Sequence, residues 1–243
     1  MCATCGCDVS RHHHHEPHEH SHSRTKVDLQ QDILLENNSL AERNRGYFQA
    51  KNILALNLVS APGSGKTSLL ERTLKDLNRE IDFSVIEGDQ QTTHDADRIH
   101  ATGTKVVQIN TGKGCHLDAH MILHALQGLK STENSILFIE NVGNLVCPAM
   151  FDLGEKERVV IVSVTEGEDK PLKYPDMFHT STLCIINKID LLPYVPYNLE
   201  KAKEYIHQVK PEMQILEVSC TNGEGLETWY QWLRSKMVQL EIA

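Results

Sequence analysis

Ser60-Ala-Pro-Gly-Ser-Gly-Lys-Thr67 decides how this chain folds. The apolar run 53–59 precedes it, and a segment of helical spacing, 66–77, follows it. Strand, glycine-rich turn and helix in that order are the context a phosphate-binding loop requires. The backbone N–H groups of Gly63, Ser64 and Gly65 can point at phosphate oxygens, because glycine tolerates the conformation this needs. The helix N-terminus adds a favourable dipole. Lys66 is placed to reach the β- and γ-phosphates and Thr67 to hold Mg²⁺, with Ser68 completing the nucleotide-binding run. Ser60 stands where the motif usually has its first glycine, which leaves the Gly-Ser-Gly-Lys-Thr heart intact.

Outward from this loop, strand-like and helix-like segments alternate. Strands are predicted over 53–59, 83–87, 105–109, 136–140, 159–164, 183–187 and 215–218. Helices are predicted over 66–77, 116–126, 199–209 and 226–237. This pattern predicts an α/β fold of the P-loop NTPase type, a mostly parallel sheet flanked by helices. Ahead of it, Leu29, Ile33, Leu34, Leu40, Tyr47 and Phe48 recur at helical spacing, predicting an amphipathic helix over 27–51. Residues 1–26 form a Cys/His-rich tail, and 52–243 form the nucleotide-binding domain.

Asn187-Lys-Ile-Asp190 closes an apolar strand about 120 residues after the P-loop. A carboxylate only accepts hydrogen bonds. Guanine offers two adjacent donors, N1–H and the exocyclic amine, whereas adenine has an acceptor at N1; Asp190 therefore selects guanine, and GTP/GDP over ATP. Asn187 and Lys188 brace the loop and cover the base. Ser219 and Cys220, ending the next strand, are similar to a further base-contact loop. For Mg²⁺ and the attacking water, two strand ends supply acids: Asp89 in Glu87-Gly-Asp89 is read as a Mg²⁺ ligand, and Glu140 in Glu140-Asn-Val-Gly143 as a second acid. Both residue types also cap loops. The catalytic set is thus Lys66, Thr67, Asp89 and Glu140. No water-positioning glutamine or arginine finger is assignable, which implies slow hydrolysis.

The chain has 243 residues, 40% of them hydrophobic, enough for one substantial core. A net charge of −9 argues against nucleic acid as a partner. No apolar run of about 18 residues predicts a membrane span. The polar, Cys/His-rich N-terminus is unlike a signal peptide, so a cytoplasmic location is expected.

Seven cysteines are present, and Cys2, Cys5 and Cys7 crowd into Cys2-Ala-Thr-Cys5-Gly-Cys7. Three thiols this close, with the terminal amine as a fourth donor, suit one soft or borderline ion, with Ni²⁺, Zn²⁺ and Cu(I) all compatible. Seven of the fourteen histidines (His12, His13, His14, His15, His18, His20 and His22) follow directly. They form a looser store of imidazole, and Glu16, Pro17 and Glu19 interrupt the run as no purification tag would. Cys115, His116 and Cys147 form a second candidate group. They follow parallel strands and so emerge at the phosphate end of the sheet; a buried structural cysteine is the alternative reading for the two thiols. Cys184, inside an apolar strand, reads as core.

These pieces together resemble the HypB family of hydrogenase-maturation proteins, SIMIBI-class P-loop GTPases. The resemblance covers nearly the whole chain after residue 27, through LAERNR, NLVSAPGSGKTSLL, VIEGDQQT, INTGKGCHLDA, LFIENVGNLVCPAMFDLGE, SVTEGEDKPLKYP and NKIDLLPY. CATCGC is similar to an element present in part of the family. The resemblance implies a homodimer when GTP-bound that passes Ni²⁺ to the [NiFe]-hydrogenase large subunit with a HypA-type accessory protein. It further implies that Cys2, Cys5 and Cys7 are a tight nickel site, and that Cys115, His116 and Cys147 bind Ni²⁺ or Zn²⁺ at the subunit interface. A nickel or zinc storage protein, a GTPase maturing another nickel enzyme such as urease, and a signalling GTPase are the competing readings.

Overall fold

Strand β1, Ile53–Ser60, is buried along its whole length, and the fold is arranged around it. The computed structural model describes residues 26–89 and 94–242. In chain order its elements are α1 Lys26–Ala50, β1, α2 Lys66–Leu77, β2 Phe83–Asp89, α3 His94–His100, β3 Lys105–Asn110, α4 Ala119–Leu129 and β4 Ser135–Glu140. There follow α5 Cys147–Met150, β5 Glu157–Ser163, α6 Lys170–Lys173, α7 Pro175–Thr180, β6 Leu183–Asn187, α8 Leu199–Val209, β7 Gln214–Val218 and α9 Leu226–Ile242; a 3₁₀ turn spans Ile189–Tyr194. The sheet has seven strands in the order β3-β2-β4-β1-β5-β6-β7, all paired parallel.

Parallel strands are covered on both faces, which is why they read as near-continuous apolar runs. Leu54, Leu56 and Leu58 of β1 face a core completed by Leu70 and Leu74 of α2, Ile99 of α3 and Trp229 and Leu233 of α9. The alternate residues Ile53 and Ala55 meet Phe48 of α1 and Ile122, Leu126 and Leu129 of α4. Val59 faces Met177 and Phe178 of α7 and Ile206 of α8. Cys184 is fully buried in β6, as its apolar setting predicts.

Two elements differ from the sequence reading. α1 buries its apolar stripe only in part: Ile33 is 49% exposed and Leu34, Leu40 and Tyr47 are half-buried, while Phe48 faces inward together with Asn37, Ala41 and Asn44. Both asparagines are held by hydrogen bonds, although Asn44 Oδ1 has no partner among the described residues. Asn37 Oδ1 accepts from Ala119 N (2.9 Å), and Asn44 Nδ2 donates to the carbonyls of Ala119 (2.9 Å) and Leu153 (3.1 Å). α4 starts three residues later than predicted, because the Asp118 side chain caps it by accepting from Met121 N. That leaves Cys115 and His116 on a loop. No helix among the described residues is long and apolar enough to cross a membrane.

Candidate functional site

A cavity of about 530 Å³ opens at the C-terminal ends of β1, β2 and β4, lined by the whole loop 60–68 and by Glu87, Asp89, Asp95, Arg98, Glu140, Gly143 and Lys188. Crevices beyond the carboxyl ends of parallel strands are where such sheets bind ligands. Gly65 takes φ 89° as it turns into α2, and a Cβ there would fall 2.5 Å from the Asn187 amide. Only glycine fits.

The acids sit on adjacent strands in register: Glu87 of β2 pairs with Glu140 of β4. Glu140 is buried, and its Oε1 accepts from Lys66 Nζ at 2.9 Å and Thr67 Oγ1 at 2.6 Å. Burial, together with Glu140 and Asp89 nearby, pushes the Glu87 carboxyl up to about 8. Oε2 of both glutamates is buried without a hydrogen-bond partner. Such orphaned oxygens mark a site built to meet something else. Glu87 was not singled out by sequence, because its pairing with Glu140 depends on strand order. Arg98 was also missed, since nothing in its spacing from the P-loop marks it. It reaches the cavity from α3, held by Glu71 (2.7 Å) and Asp95 (3.2 Å).

The residues expected to read guanine meet the P-loop from β6. Asn187 Nδ2 donates to Ser64 O (2.9 Å), and Lys188 Nζ to Gly63 O (2.7 Å). Ser219 Oγ donates to Asp190 Oδ1 at 2.6 Å, and Cys220 Sγ lies 3.5 Å from Asn187 Oδ1. Burial pushes the Cys220 thiol up to about 11, so it stays a thiol. Asp190, Ser219 and Cys220 lie beside the phosphate cavity but do not line it.

The second group converges as well. Ligand atoms of Cys115, His116 and Cys147 all lie within 4.8 Å of one another, each residue half-buried. Cys115 Sγ is 2.9 Å from Cys147 Sγ and 3.8 Å from His116 Nδ1. The neighbouring Cys147 thiol, with burial, holds Cys115 above its ordinary value, and burial holds His116 below its own, so the imidazole is neutral and free to ligate. His116 stacks on Phe151 with ring centroids 4.0 Å apart, which fixes its plane. Cys2, Cys5 and Cys7 lie outside the described residues.

One segment links the two clusters. Glu140 holds Lys66 and Thr67, and the next residue, Asn141, accepts from Leu117 N (3.1 Å). Gly143 lies against Pro62 of the P-loop, where a Cβ would come within 3.2 Å. Asn144 Nδ2 donates to Cys115 O (3.2 Å), and Cys147 is itself one of the three candidate ligands. Leu117 also packs over Gly88 of β2.

The nucleotide-binding domain model of the CobW/HypB/UreG family matches residues 54–217. The hydrogenase maturation factor HypB of Escherichia coli (strain K12) is 56% identical over 213 residues, 88% of this chain and 73% of that protein. Among solved structures, HypB from Archaeoglobus fulgidus superposes with a TM-score of 0.79 at 42% identity, covering 84% of this chain and 99% of that one. HypB from Helicobacter pylori, solved in complex with nickel, superposes with a TM-score of 0.79 at 38% identity, covering 84% and 96%.

Proposed function

The chain belongs to the CobW/HypB/UreG nucleotide-binding family, and within it to the HypB hydrogenase maturation factors; from that premise we propose that it is a GTP-hydrolysing nickel metallochaperone. It delivers Ni²⁺ to the large subunit of a [NiFe]-hydrogenase, in the cytoplasm, acting as a homodimer when GTP-bound and working with a HypA-type accessory protein. Cys2, Cys5 and Cys7 are the tight nickel site. Cys115, His116 and Cys147 are the nucleotide-sensitive site, taking Ni²⁺ or Zn²⁺. The nickel complex of the Helicobacter pylori relative supports the choice of cargo.

The observation that carries the coupled reading is segment 140–147, which touches phosphate-binding side chains at one end and supplies a thiol ligand at the other. Lys66 Nζ is held by Glu140. A γ-phosphate competes for the Lys66 ammonium and frees Glu140. Any shift of Glu140 passes along Asn141 to Leu117, and along Asn144 to Cys115. Because Cys147 and Cys115 are then moved separately, their sulfur–sulfur distance depends on the nucleotide. It has room to change: a tetrahedral ion with bonds of about 2.3 Å needs sulfurs about 3.8 Å apart, against 2.9 Å here.

Mg²⁺ fits the cavity, since the Glu140 carboxylate meets the Thr67 hydroxyl and both Glu140 and Glu87, which line the cavity, keep a buried oxygen without a hydrogen-bond partner. Thr67 and Asp89 would hold it, and it would supply charge stabilisation to the phosphates. Asp190 accepts from guanine, and Ser219 aligns its carboxylate. Lys66 stabilises charge on the transferred phosphoryl group. The test is nickel transfer from the loaded protein to large-subunit precursor in the presence of the accessory protein. Transfer with GTP but not with GDP or ATP is expected; equal transfer in all three overturns the reading.

A further inference from the structure

On α4, one turn beyond the group just described, His120 and His124 stand on the exposed side with their Nε2 atoms 3.0 Å apart and their rings at 77°. They are four residues apart, which places them on one helix face. The opposite face, Ile122, Ala125, Leu126 and Leu129, is buried, so the rotation of α4 is fixed with both imidazoles outward. Its first turn is pinned as well, through the Asn37 and Asn44 hydrogen bonds to Ala119. Two nitrogen donors on a rigid helix, already converged, lose little freedom on closing around an ion.

We propose that His120 and His124 form a further metal site, a two-imidazole chelate for divalent nickel on the surface of the folded domain. The spacing admits such an ion. With metal–nitrogen bonds of about 2.05 Å, donors 3.0 Å apart subtend about 94° at the ion, whereas a tetrahedral ion needs them about 3.3 Å apart. An angle near 90° is the cis angle of square-planar or octahedral coordination, which Ni²⁺ adopts; exposed imidazoles also open to the tetrahedral spacing, so the assignment to nickel rests on the cargo of the proposed function. Water fills the remaining positions on this exposed face. His120 lies four residues after His116, so the pair borders the Cys115, His116 and Cys147 group. An ion held by two neutral imidazoles and water is loosely bound compared with one held by thiolates, which suits a staging point from which nickel passes inward. Nickel binding by the pair needs no nucleotide, so its failure would leave the GTP-coupled reading untouched.

The alternative occupant of the same geometry is a plain hydrogen bond between the two rings. Diethyl pyrocarbonate labelling of the full chain, titrated with NiCl₂ and read by fragment mass spectrometry, separates the two. One tryptic peptide, 114–130, carries His116, His120 and His124, so all three are scored in the same molecule. Ni²⁺ should protect His120 and His124 together, with one midpoint. In H124A the midpoint for His120 should rise about 100-fold, the order of gain from a second tethered ligand, and H120A should do the same to His124. In the C115A/C147A variant, protection of His116 should be lost while that of the pair persists. The substitutions lie on an exposed helix face, where alanine is a good helix former. Unchanged labelling of His120 with and without nickel overturns the proposal. So does a His120 midpoint unmoved by H124A, or protection of the pair that disappears in C115A/C147A.

Discussion

Removing the Lys66 ammonium should destabilise the nucleotide-free protein, and removing the Glu140 charge as well should restore it. Lys66 Nζ lies 2.9 Å from Glu140 Oε1, with the two side chains 11% and 2% exposed. At an effective dielectric of about 20, charges at that distance attract by about 6 kcal/mol. Breaking a buried pair from one side costs about 3–5 kcal/mol, because an uncompensated charge stays behind. Glu140 keeps its hydrogen bond from Thr67, which points to the lower end, about 3 kcal/mol for K66M. Methionine preserves the aliphatic stem, so packing is a minor term. For a domain of this size the loss corresponds to a Tm fall of about 6–12 °C. K66M/E140Q leaves no buried charge and should return to within about 1 kcal/mol of the unsubstituted protein. The assay is urea and thermal unfolding in chelator-treated, nucleotide-free buffer, with GTP turnover measured in parallel. Stability should return in the double variant while turnover does not. If K66M is as stable as the unsubstituted protein, or the double variant is no better than the single, the placeholder role of Glu140 is wrong.

Asp190→Asn should weaken GTP and improve xanthosine triphosphate, whose base has an acceptor where guanine has its amine; nucleotide competition assays would show equal GTP and ATP affinity in the unsubstituted protein if the assignment is mistaken. Asn144→Ala should leave GTP affinity intact but reduce any effect of nickel on turnover, because the bond to the Cys115 carbonyl is lost; steady-state kinetics with and without Ni²⁺ decide it. Metal affinity at Cys115, His116 and Cys147 should rise with pH through the range where Cys115 keeps its proton. Its pKa is raised, so binding must displace that proton, giving about tenfold per pH unit for each thiol proton released. His116, held below its ordinary value, adds no further dependence near neutrality. A flat profile from pH 6.5 to 8.5 in a chelator competition contradicts thiolate ligation.

The sheet was legible because strands buried on both faces announce themselves as apolar runs: 183–187 was read to the residue and β1 to within one. The P-loop was legible because its glycines and Lys66 stand between such a run and a helix. Polar cores were not. α1 buries Asn37 and Asn44 beside Ala41 and Phe48, and hydrophobic periodicity is blind to asparagines that bond backbone groups. Glu87 was hidden for a different reason: its importance lies in standing beside Glu140, and strand order is not written in any one segment. The convergence of Cys115 with Cys147, across 32 positions, was anticipated from the common end of parallel strands, but the Asn141 and Asn144 bonds that tie it to the segment after Glu140 were not.

The central claim is that one folded-domain metal group answers to the nucleotide. It is tested most directly by measuring nickel affinity of a C2S/C5S/C7S variant, which lacks the tail thiols, in its GDP form and in the form bound to a non-hydrolysable GTP analogue. A chromophoric chelator provides the competition. Coupling through segment 140–147 predicts that the two forms differ by about 5- to 150-fold, the range of ordinary allosteric pairs, and that C115A/C147A abolishes the difference. Identical affinities in the two nucleotide forms would contradict the account, whatever the protein's GTPase rate.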